Sequence, residues 1–156
     1  HLDACANVSR TEVCSVSYVF AERFWRGRKQ AHVKAEGLVA TPSWAATRVK
    51  PSKGSQFFLG GRFSGAPMHY HQAAYNMLVY GRKRWFLAPP AHAVFSMLPA
   101  HQWVTHRLPR LRERANESRL YQCDQAAGDL LVLPDLWGHL TYNLAVSIGI
   151  AQEFAW

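Results

Sequence analysis

The sequence predicts a mainly β domain, a barrel or sandwich of short strands, and three features carry that expectation. From Ser55 onward, short apolar stretches fall at 56–59, 67–71, 75–80, 83–87, 120–123, 130–133 and 139–154, with the lengths and residue types of strands. Glycine and proline punctuate them: Gly81-Arg82 reads as a tight hairpin and Gly128-Asp129 as another turn. The strands are evenly spaced, as in all-β barrels and sandwiches. The last stretch is long for one strand and is expected to turn around 143–145.

The chain has 156 residues, the length of a single domain with a sizeable core. Its first part, 1–54, reads as a short amino-terminal helix and lead-in strands, and 55–156 as the barrel. The helix is expected over 15–25, where Val16, Val19, Phe20 and Phe24 come close to helical spacing. Arg26-Gly27-Arg28 supplies the glycine and cations that suit a helix end. A short strand is expected at 31–34 and a connection over 37–43. Residues 89–119 break the strand pattern and read as a partly helical, largely exposed insertion: 91–98 is apolar enough for a short helix, and 107–119 is polar and charged. No internal repeat is visible.

Composition excludes some classes of function. Hydrophobic residues make up 49% and aromatics 13%, too many for a disordered chain. No apolar run reaches the length of a membrane span. The net charge of +8 would suit an acidic partner. However, the cations are scattered over 23–34, 48–53, 82–84 and 107–119, without interleaved stacking aromatics, so a solvated rim is expected rather than a nucleic-acid surface. Cys5, Cys14 and Cys123 lack zinc-ligand spacing. In a secretory compartment Cys5 and Cys14 would be available for a disulfide, with Cys123 left over. Two glycosylation sequons, Asn7-Val8-Ser9 and Asn116-Glu117-Ser118, point the same way without deciding it. The chain starts at His1, with neither an initiator Met nor a signal-peptide pattern, and reads as a processed form or a fragment.

The most informative stretch is Pro67-Met68-His69-Tyr70-His71. On a strand, residues two apart face the same side, so both imidazoles would enter one space. His139 opens the last strand after Leu133-Pro134-Asp135-Leu136-Trp137-Gly138, and barrel closure can bring it to the first pair. Three imidazoles on one side of a divalent ion leave the other side open. Spacing by itself leaves both readings open, because a buried histidine is more often a hydrogen-bonded core residue than a ligand.

The surrounding motifs resemble the jumonji-C (JmjC) family of cupin-like domains. The resemblance rests on Gly65-Ala66-Pro67-Met68-His69-Tyr70-His71, on Tyr75-Asn76-Met77-Leu78-Val79-Tyr80-Gly81-Arg82-Lys83-Arg84-Trp85-Phe86-Leu87-Ala88-Pro89-Pro90, and on Gly128-Asp129-Leu130-Leu131-Val132-Leu133-Pro134-Asp135-Leu136-Trp137-Gly138-His139. Asn143, Ser147 and Phe154 continue it, and the segment from Phe20 to Trp25, with Trp44, resembles the family's usual start. It covers nearly the whole chain with the motifs in order. Within the family the pattern is most similar to the short JmjC proteins of the endoplasmic reticulum lumen, which also carry H-x-H and a Gly-Arg-Lys-Arg-Trp segment.

The resemblance implies a double-stranded β-helix (a jelly-roll or cupin barrel), Fe(II) and 2-oxoglutarate as cosubstrate. It implies His69 and His139 as metal ligands, with His71 where the family has a carboxylate. That change makes the site more positive and moves its preference toward borderline ions such as Zn(II). Lys83 matches the lysine that binds the distal carboxylate of 2-oxoglutarate, and Asn76 an auxiliary amide. Tyr75 is expected in the pocket wall, Tyr70 and Trp85 in packing, and Trp137 beside the metal. Two departures weaken a cosubstrate site: Ala66 stands where many relatives have Thr, and Glu153 near a position that is often Asn, where a carboxylate needs a cation such as Lys83.

Two functions follow as expectations. One is an oxygenase acting on a protein or small molecule through His69, His71 and His139. The other is a non-catalytic metal-binding domain that works through protein contacts in the secretory pathway; cytoplasm and nucleus are the alternative locations.

Overall fold

A computed structural model describes residues 18–21, 43, 50–51, 55–113 and 119–155. These contain β1 (Tyr18–Ala21), β2 (Lys50–Pro51), β3 (Gln56–Gly60), β4 (Ala74–Tyr80), β5 (Arg82–Ala88), β6 (Tyr121–Ala126), β7 (Leu130–Leu133), β8 (Gly138–Asn143) and β9 (Ser147–Ala155). All pairings are antiparallel, in two sheets. The larger runs β1-β3-β9-β4-β7 with β2 also on β9, and the smaller runs β6-β5-β8. This is the mainly β architecture that the strand spacing predicted, in the jelly-roll form of the cupin barrels that the resemblance implied. The described helices are too short and too polar to cross a membrane.

Alternation along each strand decides what fills the interior. In the larger sheet Phe58 faces Phe20 and Gly149, and Ala151 faces Gln56 and Asn76. In the smaller sheet Lys83, Trp85 and Leu87 stand opposite Asn143, Thr141 and His139. The odd residues of β8 therefore look into the barrel. Its even residues, Leu140 and Tyr142, look outward, yet all six residues of the strand are buried.

The insertion explains that burial. It begins with a 3₁₀ turn at Pro90–His92 and continues through α1 (Ala100–Gln102), a π turn at Trp103–Arg107 and α2 (Leu108–Glu113). Ala100, Trp103 and Leu108 pack on Phe86, Leu140, Tyr142 and Met68. Partly helical was right; largely exposed was only half right, because this segment covers the outer face of the smaller sheet. The helix expected over 91–98 shrinks to the 3₁₀ turn, and Phe95 and Met97 are exposed.

Other sequence expectations change as well. Tyr18–Ala21 is a strand on β3 rather than part of a helix: the aromatic and β-branched residues pair with a sheet edge, and tertiary pairing overrides a weak helical period. The rest of that helix, the strand at 31–34, the connection over 37–42, Trp44, Cys5, Cys14 and both sequons lie outside the described residues. The stretch 67–71 forms no ladder; it contributes one bridge, between His69 and His139. Gly81-Arg82 is no hairpin, since β4 and β5 belong to different sheets. There the chain steps between sheets with Gly81 at φ 93°, where an added Cβ would strike the Val146 carbonyl. Gly128, also at φ 93°, turns the chain from β6 in one sheet to β7 in the other. The expected break around 143–145 falls between β8 and β9.

Candidate metal centre

Backbone hydrogen bonds assemble the three histidines. His69 and His139 exchange a pair of bonds: the His69 N–H donates to the His139 carbonyl at 3.0 Å, and the His139 N–H to the His69 carbonyl at 2.7 Å. The turn before β8 is tied to the segment after His71, with Leu136 N–H donating to the His71 carbonyl at 2.9 Å and Ala73 N–H to Asp135 Oδ1 at 3.1 Å. Leu136 holds a left-handed φ of 58° in that turn, a costly conformation for a branched residue that the surrounding bonds must sustain.

The rings converge as a result. Their centroids lie 4.2 Å (His69–His139), 4.6 Å (His71–His139) and 5.3 Å (His69–His71) apart. One ring nitrogen from each lies within 4.8 Å of the other two. Each Nδ1 is bonded to a carbonyl, that of Pro67 for His69 (2.7 Å), Gln72 for His71 (2.6 Å) and Trp137 for His139 (3.0 Å). A carbonyl can only accept, so Nδ1 carries the proton and Nε2 keeps its lone pair. This is the arrangement that orients metal-binding imidazoles. Burial holds His139 neutral, with a pKa pulled down to about 3, helped by His69 and His71; burial lowers His69 in the same direction. The donor set suits a borderline divalent ion.

The cluster lines an open cavity of about 320 Å³, the lower end of the small-molecule range. Asn76, Tyr75, Trp85, Thr141 and Tyr18 line it with the three histidines. Asn76 is buried and its Oδ1 has no hydrogen-bond partner. Tyr75 contributes to the wall while its ring packs near Phe154. Trp85 is packed as expected, its indole N–H donating to Gln125 Oε1 at 2.8 Å. Tyr70 is not a packing residue: it is 42% exposed, edge-on to Phe95. Trp137 offers His139 its carbonyl, and its ring stacks toward Tyr121.

Lys83 lies beneath the cavity rather than on its wall. It is completely buried, and its Nζ has no hydrogen-bond partner. The ammonium rests 3.4 Å from the centroid of Phe58, with Tyr18 and Trp85 at 5.7 and 5.8 Å. Burial drops its pKa to about 7. Aromatic faces offset part of the cost of burying this charge, and an anion at the cavity floor would offset far more. The orphaned ammonium therefore fits a carboxylate ligand such as that of 2-oxoglutarate.

The hydroxyl that Ala66 lacks is supplied one strand away. Ala66 N–H donates to Thr141 Oγ1 at 2.8 Å, and Thr141 is in turn bonded to the Tyr18 phenol, whose pKa burial raises. Sequence reasoning missed Thr141, although its place two beyond His139 on one strand face is a signal that could have found it. Tyr18 gave no such signal, because its segment reads as a helix.

An antiparallel jelly roll with three converging neutral imidazoles lining an open cavity defines a cupin-like barrel with a candidate metal centre. No family model matches the chain, but curated relatives do. It is 38% identical over 100 residues to JmjC domain-containing protein 8 of Homo sapiens, covering 61% of this chain and 36% of that protein. It is 26% identical over 110 residues to the arginine-specific demethylase JMJ20 of Arabidopsis thaliana (62% and 23%) and 26% identical over 114 residues to the bifunctional arginine demethylase and lysyl-hydroxylase psr-1 of Caenorhabditis elegans (63% and 28%). The chain is thus similar over this stretch to JmjC domain-containing proteins, whose motifs its own resemble. The matched stretch spans about a third of the length of the first of these relatives.

Proposed function

We propose that this chain is an oxygenase domain with a three-histidine centre, using Fe(II) and 2-oxoglutarate to oxidise a protein side chain. The observation that carries it is the convergence of three imidazoles on a cavity, with the ammonium of an unpartnered lysine buried behind its Tyr18 and Trp85 wall. His69, His71 and His139 would hold the ion. Lys83 would neutralise the far carboxylate, and Asn76 and Thr141 would orient the ligand by hydrogen bonds. Bound iron would supply the redox chemistry, with O2 as the oxidant and the 2-oxo acid as the two-electron co-reductant: one oxygen atom would go to the succinate formed with CO2, the other into the substrate C–H bond. Trp85 and the aliphatic wall would keep water from the reacting centre. The relatives named as demethylase and hydroxylase support a protein substrate.

The experiment is an anaerobic titration of Fe(II)-loaded protein with 2-oxoglutarate, followed by the visible band of the metal–2-oxo acid complex. A saturable band that is lost in His139→Ala and weakened in Lys83→Ala is expected. Stoichiometric metal without a band would sink the oxygenase.

His71 in place of a carboxylate, with Lys83 beneath the cavity wall, favours a second reading: a metal-bearing domain, with Zn(II) as its ion, that acts through protein contacts. In that case the metal-loaded protein would capture a partner without consuming 2-oxoglutarate. We place either activity in the secretory pathway on the two sequons and the Cys5/Cys14 pair. Endoglycosidase treatment of the full chain from cells tests this; unchanged mobility together with free thiols at both cysteines would refute it.

A further inference from the structure

Neutral imidazoles leave a divalent ion without an anion, and the interior of this barrel holds one. Glu153 is the one buried acidic residue among those described: Asp124, Asp129, Asp135 and Glu113 are exposed, whereas Glu153 is 4% exposed. Its place on β9 turns it to the interior of the barrel. Ala151 lines the cavity, and Glu153, two residues further along the strand, shares that face. It stands opposite Ala74, another cavity-lining residue. The next residue, Phe154, donates its N–H to the carbonyl of Ala73 at 2.8 Å, and Ala73 follows His71 by two residues.

We propose that Glu153 is the anionic partner of the metal centre, reaching the ion through one coordinated water, because its carboxylate lies outside the group of three converging imidazoles. This rests on the three-histidine reading above and deepens it. The substitution that put His71 in the carboxylate position would then be balanced from a different strand, and the charge around the ion would return to that of a site with two histidines and one carboxylate. Glu153 would no longer be a misplaced anion repelling a carboxylate ligand, since its charge is spent on the ion. With the carboxylate behind a displaceable water, the three positions opposite the imidazoles of a six-coordinate ion stay available to a chelating ligand and O2.

The test is a titration of the full chain with Co(II), read by calorimetry and by the visible d–d bands. These bands report the ligand field and do not respond to a merely structural change. Wild type is expected to bind one ion and His139→Ala to lose it. Glu153→Gln should bind roughly tenfold or more weakly with altered band positions, and Glu153→Asp should recover part of both. Wild-type affinity and spectrum in Glu153→Gln would overturn the role of Glu153 and leave the histidine site standing. A wild-type protein that takes up no Co(II), or one indifferent to His139→Ala, would overturn both. Should the Glu153 variants fail to fold, the wild-type protein with ¹³C-labelled glutamate decides. A carboxylate stretch that shifts on Co(II) binding in wild type, but not in His139→Ala, supports the proposal, and an unshifted band overturns it.

Discussion

His69 and His139, 70 positions apart in the numbering, are joined by a reciprocal pair of backbone hydrogen bonds at 3.0 and 2.7 Å. The bonds that close the barrel therefore also set the spacing of two proposed ligands. The metal need not gather these imidazoles, because the fold has already done so and each Nδ1 is already committed to a carbonyl. Pre-organisation of this kind lowers the ordering cost of binding.

Ligand substitutions follow from this geometry. His139→Ala should lower divalent-metal affinity by more than roughly 100-fold, since loss of even a supporting contact costs about 10–100-fold. His71→Asp should bind and shift preference from Zn(II) toward Fe(II) and Mn(II), because an oxygen anion replaces a borderline nitrogen donor. Competition between the metals, with a chromophoric chelator, checks both.

Acid should act on the same cluster. The folded pKa of His139 is depressed to about 3, so between about pH 6.5 and 3 the unfolded chain binds more protons than the folded one. The His139 contribution to the stability of the metal-free protein is therefore complete above pH 6.5 and is lost as pH falls through that window. Bound metal, which needs neutral imidazoles, should leave over the upper part of the same range. Denaturant unfolding at a series of pH values, with and without Zn(II), gives both curves. Replacing His139 by Gln should flatten the metal-free curve.

Lys83 predicts a second limb of the same sign at alkaline pH. Its pKa falls from 10.5 to about 7 on burial, so between about pH 7 and 10.5 the unfolded chain again binds more protons. Stability rises with pH across that interval, by up to a few kcal/mol. Lys83→Met should remove the slope and raise stability at pH 7, because the replacement is apolar and the ammonium has no hydrogen-bond partner to lose. The same variant should lose 2-oxoglutarate binding while retaining metal. Thermal unfolding from pH 7 to 10 and a cosubstrate titration separate the two effects.

The insertion is structural cover for the smaller sheet. Trp103 is 2% exposed and packs near Phe86, with ring centroids 5.6 Å apart. Trp103→Ala should cost about 3–5 kcal/mol and expose the outer face of β8, whose inner face carries His139. Metal affinity should fall with stability, measured by urea unfolding and by Co(II) titration. Met97→Ser, at a position 89% exposed, should change neither.

The strand text from Ser55 onward, the H-x-H pair and the later His139 were legible without coordinates, because alternation and glycine placement are local properties that a sequence records directly. The residues 130–133 were read as a strand and are one. Pairing is different, since it depends on which strands lie side by side. Local signals called Gly81 a hairpin, although the neighbours of β4 are β7 and β9. They also read Tyr18–Ala21 as helix, where the edge of β3 makes it a strand.

The sequence by itself determined the fold class, the identity of the three histidines and the cation at position 83. Tertiary structure alone decided that the imidazoles meet, that Thr141 lies beside Ala66, that Lys83 sits under the floor and that Glu153 shares the cavity face of β9. Composition and periodicity describe a residue and its near neighbours, whereas barrel closure brings together positions tens of residues apart. Their distances are set by the register of strands that the local pattern does not name.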